Sequence, residues 1–198
     1  MLPLPFSRGG IYAAIFWTVY AIWVGSETIA SLKKPPVTSS QRRDRGAKRL
    51  LIALIWAGIS LDFALSFRFP GAAIRGPRAA LFYGGICLML AGFALRWYSI
   101  SVLGRYFTFD VAIHAGHNVI EAGPYRYIRH PSYTGAILTV IGFGLALENW
   151  MGLAALLACI GIGYGYRISV EETALAEALG EEYIAYARRT RRLVPLMF

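Results

Sequence analysis

The residues able to do chemistry in this chain fall into two groups. The first is "GPYRYIRHPSYTG", residues 123–135. Pro124 and Pro131 restrict the backbone of Gly123 and His130, the residues before them, so the segment bends twice. Pro131 suits a first helical position. Arg129 and His130 then lie at a backbone break beside a helix N-terminus, where ring nitrogens, a guanidinium and free N–H groups favour an anion such as a carboxylate. A lone histidine in such a place is more often a satisfied structural residue, but His117 and His130 together, flanked by Tyr125 and Tyr133, read as a ligand site. The second group is "RISVEE", residues 167–172. Arg167 and Glu171 are one helical turn apart and share a face, with Glu172 about one hundred degrees further round. Ionisable groups near the end of a span either line a cavity or close the span as an interfacial ion pair. Neither group offers three metal ligands at a known spacing, so no metal is expected. No Gly-rich phosphate loop or serine elbow is present.

The elements that must position these groups are apolar helices. Of 198 residues, 57% are hydrophobic and only 16% charged, which is too apolar for an ordinary soluble domain. Three runs, "GGIYAAIFWTVYAIWVGSETIA", "LLIALIWAGISLDFALSF" and "AALFYGGICLMLAGFALRWYSISVL", approach the roughly 20 residues of one helical crossing. A fourth, "TGAILTVIGFGLALENWMGLAALLACIGIGYGY", is too long for one span and breaks at "ENW", giving a hairpin. The expected fold is all-α: a polytopic membrane helix bundle of about five transmembrane helices, forming a single membrane domain over 1–198. Residues 1–104 hold three spans and a basic loop. Residues 105–198 hold the polar block, the hairpin and a C-terminal cytoplasmic helix. Gly180 should break the last helix into two pieces, and "RLVP" should turn back or cap the domain. The first run is long, aromatic and without a cleavage pattern, so it reads as a retained span. Cys87 and Cys159 sit inside apolar runs and read as small hydrophobes.

Charge orients the bundle. Lys and Arg crowd the loop between the first two spans, the polar block and the C-terminal segment, which share one face if there are five spans. The positive-inside rule then puts the N-terminus outside and the polar block and C-terminus in the cytoplasm. Topology and anionic membrane lipids account for the net charge of +9 without a nucleic acid. Two acids, Glu27 and Asp62, stand isolated in different spans and read as helix packing or interfacial residues.

Taken together, "HNVIEAGPYRYIRHPSYTG", "RISVEE" and "LGEEYIAYARRTRRLVP" resemble, in order, the isoprenylcysteine carboxyl methyltransferase family of integral membrane methyltransferases. The resemblance covers about the C-terminal half. It implies that residues 105–198 are the catalytic half, with a cytoplasmic cofactor pocket for S-adenosylmethionine formed by His117, Asn118, Val119 and Ile120, by Tyr125, by His130, Pro131, Ser132 and Tyr133, and by Glu171, with Glu172 taken into the same set. It also implies that Arg167 faces the methyl acceptor as catalytic and substrate-binding residue beside Glu171. Arg129 is the third charged candidate, either orienting the acceptor or pairing with Glu171 or Glu172. Asp110 stands where the family often places a polar cofactor contact.

The residue chemistry agrees with that implication. S-adenosylmethionine presents a sulfonium, an ammonium, a carboxylate and an adenine, for which carboxylates, helix N-terminal N–H groups and aromatic faces are suitable counterparts. A carboxylate acceptor is already ionised and needs no base. It needs a cation to hold it in line, as Arg can with two parallel hydrogen bonds. The function that the resemblance implies, and that this chemistry allows, is methylation of a lipophilic carboxylate, such as an isoprenylcysteine, that enters from the bilayer. The alternatives are a phospholipid N-methyltransferase, an NADPH-dependent membrane reductase, and a non-enzymatic transporter or scaffold.

Overall fold

The computed structural model describes residues 3, 6, 10–33, 43–111 and 119–194. Its long elements are α1 (Ile11–Lys33), α2 (Ala47–Arg68), α3 (Arg78–Leu103), α4 (Pro131–Ala146), α5 (Trp150–Leu179) and α6 (Glu181–Arg189), with no strand among the described residues. The chain is a polytopic helical bundle. α1, α2, α3 and α5 are each long and apolar enough to cross a membrane. α4, with 16 residues, is about 24 Å long at the helical rise per residue, so the expected five spans resolve into four long helices and one short one. Its limits are local: Pro131 occupies its first turn, and Glu148 just beyond it adopts a left-handed backbone, φ 57°. α4 is largely enclosed by protein, with residues from Gly135 to Ala146 contributing to the core.

The hairpin breaks at "ENW", where a turn was expected. Asn149 caps α5 by accepting hydrogen bonds from the backbone N–H groups of Met151 and Gly152, at 3.0 and 3.1 Å. Its amide donates to the Phe69 carbonyl at 2.9 Å, which ties the hairpin to the end of α2. α5 has 30 residues, about 45 Å by the same rise, against roughly 30 Å of hydrocarbon. Its last turns, with Glu171 and Glu172, therefore run beyond the apolar layer.

Two helix pairs make the bundle, α3 with α4 and α2 with α5. Phe16, Phe82, Met89, Val140, Phe143, Leu156 and Ile160 fill the common core. α1 joins through aromatic contacts, Phe16 to Phe143 at 5.4 Å between centroids, and through an ion pair between Glu27 and Arg96 of α3. Glu27 is thus not isolated, as its sequence setting suggested: its partner is the Arg of the third apolar run. Asp62 is fully buried on α2 and accepts a hydrogen bond from Ser66 at 3.4 Å.

Gly180, φ 56°, ends α5 and starts α6, as expected from its backbone freedom. The chain then turns back. Residues around Arg191 run parallel to those around Ile128: Arg129 and His130 donate backbone N–H bonds to the carbonyls of Arg191 and Arg192 at 2.7 and 3.0 Å. The chain's last described residues therefore brace the backbone break before α4.

Candidate functional site

The Gly-Pro segment forms a short 3₁₀ turn, Gly123–Arg126, entered through a left-handed Gly123, φ 55°. A side chain at Gly123 would also press on Tyr98 and Val102, since its Cβ would lie 3.1 and 3.3 Å from them. The second bend leaves His130 outside helical geometry and Pro131 in the first turn of α4. The rings of His130 and Tyr133 stack with their centroids 5.3 Å apart.

These bends place the site residues around a cavity of about 100 Å³. Val119, Ile120, Tyr125, Arg129, His130, Ser132, Tyr133 and Glu171 all line it, together with Asp110 and the α6 residues Tyr183 and Tyr186. Pro131 and Glu172 stand behind this wall, and His117 and Asn118 lie outside the described residues. The Tyr186 hydroxyl donates to the Tyr125 carbonyl at 2.7 Å. Burial pushes the Tyr186 phenol up to about 12 and raises those of Tyr125 and Tyr183 as well, so all three are neutral donors at physiological pH. The Tyr183 hydroxyl is buried and has no hydrogen-bond partner among the described residues.

A second cavity of about 260 Å³ lies among α1, α2, α3, α4 and α5. Its walls are mainly apolar, with Trp23, Ile52, Ile55, Trp56, Ile59 and Val140, and its polar residues include Glu27, Lys48, Arg96 and Arg167. Tyr133, Phe107 and Thr108 line both cavities. The Tyr133 hydroxyl donates to Glu171 Oε2 at 2.5 Å and accepts from Arg167 Nε at 3.1 Å. One phenol therefore joins the carboxylate of the polar cavity to the guanidinium of the apolar one.

Arg167 is 4% exposed. Its Nη1 donates to Asp44 Oδ1 at 2.5 Å and its Nη2 to the Phe109 carbonyl at 2.9 Å. Arg96 donates Nη1 to the Ser132 hydroxyl at 3.0 Å while its other edge grips Glu27. Asp44 and Arg96 were not singled out in the sequence. The signal for Arg96 was present, a lone cation within an apolar run. Asp44 gave none, because a single acid in "RRDRG" looks like part of a solvated basic loop.

Arg129 and Glu172 form a bracing cluster. Arg129 Nε donates to Glu172 Oε1 at 2.8 Å, and its Nη1 donates to the carbonyls of Ala187 and Thr190 at 2.8 and 2.6 Å. His130 Nε2 lies 3.3 Å from the same carboxylate oxygen, and Arg192 binds the other oxygen at 3.0 Å. Glu172→Ala should therefore leave a mostly buried guanidinium without its counter-ion, a loss on the order of 3 kcal/mol, and release the terminal segment. Limited trypsin digestion of the native protein should then cut at Arg191 and Arg192 far faster than in wild type.

Among the described residues, no three His, Cys, Asp or Glu side chains gather to hold a metal ion.

Comparison with known proteins bears on the same elements. A model of the isoprenylcysteine carboxyl methyltransferase (ICMT) family matches residues 85–177, from within α3 to within α5. A probable protein-S-isoprenylcysteine O-methyltransferase of Oryza sativa subsp. indica is 30% identical over 117 residues, 58% of this chain and 61% of the relative. The protein-S-isoprenylcysteine O-methyltransferase of Schizosaccharomyces pombe is 26% identical over 151 residues, 75% of this chain and 64% of the relative. The cobalt-zinc-cadmium resistance protein CzcN of Cupriavidus metallidurans is 29% identical over 150 residues, 76% and 62% of the two chains. The matched regions thus span about three-fifths of the length of these curated relatives. The solved structure of the eukaryotic intramembrane Ras methyltransferase ICMT shares the fold, with a TM-score of 0.68 and 22% identity over 95% of this chain and 68% of that one. The four long apolar helices and this common fold make the chain an integral membrane protein, and its segment from α3 to α5 is similar to the isoprenylcysteine carboxyl methyltransferase family.

Proposed function

We propose that this protein is an S-adenosylmethionine-dependent membrane O-methyltransferase that esterifies the carboxylate of a lipophilic acceptor of the isoprenylcysteine type. The observation that carries this reading is the pair of cavities sharing a wall at Tyr133, polar on the Glu171 side and apolar on the Arg167 side. The first cavity suits a cationic, nucleotide-like cofactor. Glu171 supplies negative charge, the stacked His130 and Tyr133 rings supply a flat face, and the Tyr183 hydroxyl, without a hydrogen-bond partner among the described residues, supplies a polar group. The second cavity suits a hydrocarbon tail, with the acceptor head beside Arg167.

S-adenosylmethionine, held by Glu171, His130 and Tyr133, would supply an activated methyl group on a sulfur that leaves as a neutral thioether, and a carboxylate acceptor is already ionised. No proton moves, so no side chain has to act as a base. The protein's part is positioning and exclusion of water, which can supply a large share of the rate. Tyr133 holds Glu171 and Arg167 at fixed places on either side of the shared wall. Arg167 aims the acceptor, His130 and Ser132 shape the opposite edge, and the Arg129–Glu172 cluster keeps the backbone break rigid. The excess of Lys and Arg at this end of the bundle supports a cytoplasmic orientation for it.

The test is labelled-methyl transfer by the purified protein in lipid membranes, with a panel of prenylcysteine acids, fatty acids and phosphatidylethanolamine. Base-labile label in a prenylcysteine acid, together with binding of S-adenosylhomocysteine, is the expected result. Base-stable label in phosphatidylethanolamine would assign an N-methyltransferase instead. Binding of NADPH without any response to S-adenosylhomocysteine would overturn the reading.

A further inference from the structure

The Arg167 guanidinium has five N–H donors, and the fold engages it on three sides through Tyr133, Asp44 and the Phe109 carbonyl. Asp44 is the anionic member of that set. It is 5% exposed and is itself fixed: the Val111 N–H donates to its Oδ1 at 3.3 Å and the Lys48 N–H to its Oδ2 at 3.2 Å. Asp44 thus spans from the first turn of α2 to the loop over the polar cavity, and it lies outside the segment that matches the family.

Building on the methyltransferase reading above, we propose that Asp44 is a charge-balancing and positioning residue for Arg167, one that keeps the acceptor carboxylate aimed but loosely held. Transfer of a methyl cation equivalent to a carboxylate destroys the acceptor's negative charge. A buried, uncompensated guanidinium would stabilise that charge more before transfer than during it, which raises the barrier instead of lowering it. An ion pair at 2.5 Å offsets the cation's field while its remaining N–H groups still direct the carboxylate oxygens. Because Asp44 is anchored by two backbone donors, it stays in place as the acceptor arrives, and the two carboxylates share one guanidinium.

The expected signature is a split that a structural role alone does not produce. Asp44→Asn keeps an oxygen that can accept from Val111 and Arg167 but removes the charge. Acceptor KM should then fall about threefold to tenfold, as Arg167 gains unshared attraction for the anion, while kcat falls about tenfold to a hundredfold from lost compensation and alignment. The dissociation constant for S-adenosylhomocysteine should stay within about twofold, since Arg167 faces the other cavity. Asp44→Glu, which restores the charge, should recover part of kcat. Unchanged kcat in Asp44→Asn, or a raised acceptor KM together with weakened S-adenosylhomocysteine binding, would overturn the proposal. A wild-type protein that transfers no methyl group to any acceptor in the panel would instead defeat the broader reading. The residue pair is then judged by arginine-side-chain NMR of protein in micelles, with the Arg167 signals assigned by their loss in Arg167→Lys. Separately resolved, slowly exchanging Nη–H resonances are expected in wild type and should collapse in Asp44→Ala. Their persistence in that variant would refute Asp44 as the group that fixes the guanidinium.

Discussion

Arg167→Lys is expected to lower kcat/KM for a carboxylate acceptor by roughly a hundredfold to a thousandfold while leaving S-adenosylhomocysteine binding within a few-fold of wild type. The reasoning is geometric. Arg167 reaches three separate groups at once: the Tyr133 hydroxyl, Asp44 and the Phe109 carbonyl. A lysine ammonium presents its donors from a single point and cannot span those corners while also offering a planar fork to a carboxylate. The charge is preserved, so a large loss would assign the effect to direction instead of net electrostatics. Cofactor affinity should survive because Arg167 lines the apolar cavity, whereas Val119, Tyr125, His130 and Glu171 line the other. Initial-rate kinetics with varied acceptor, paired with calorimetric titration of S-adenosylhomocysteine, checks both halves. Full activity on a carboxylate acceptor would remove Arg167 from the acceptor site.

Gly92→Ala and Gly142→Ala should each destabilise the bundle by about 2–3 kcal/mol, read as a fall of roughly 5–10 °C in the thermal midpoint in detergent. α3 and α4 meet backbone to backbone. A Cβ on Gly92 would lie 2.5 Å from the Gly135 carbonyl oxygen and 2.5 Å from the Thr139 nitrogen, and one on Gly142 would lie 2.4 Å from the Gly85 carbonyl oxygen. Neither obstacle is a flexible side chain that could turn away, so the helices themselves must separate, at a loss of the dispersion contacts along their length. Function should suffer beyond stability, since α4 carries Ser132 and Tyr133 and α3 carries the Arg96 that binds Ser132. Gly84→Ala and Gly161→Ala are matched controls: nothing lies within 4 Å of a Cβ at either position, and alanine favours the helix. Equal losses in the controls would refute a close-packing role for Gly92 and Gly142.

These variants separate what local sequence encodes from what assembly encodes. Helix positions, the hairpin break at Glu148 and Asn149, the double bend at Gly123 and His130 and the division at Gly180 were all legible. Each follows from a local cause, such as the length of an apolar run, the φ restriction of proline or the freedom of glycine. Gathering Tyr125, His130, Ser132, Tyr133 and Glu171 at one cavity was likewise foreshadowed by ordered motifs. The short α4 was not, because hydropathy counts apolar residues without distinguishing those that face protein from those that face lipid.

Only the tertiary structure decided the partners. Arg129 and Glu172 look equally suited to a ligand, yet the return of the chain at Arg191 engages them in bracing the site. Asp44 and Arg167 are 123 positions apart, and Glu27 and Arg96 are 69 apart. Their meeting depends on which helix faces pack. The glycine contacts between α3 and α4 set that packing through the absence of side chains, and such a contact has no signature in hydropathy or charge. The sequence by itself determined the helices and the polar motifs they carry; the packing of those helices placed a carboxylate and a guanidinium on opposite sides of Tyr133.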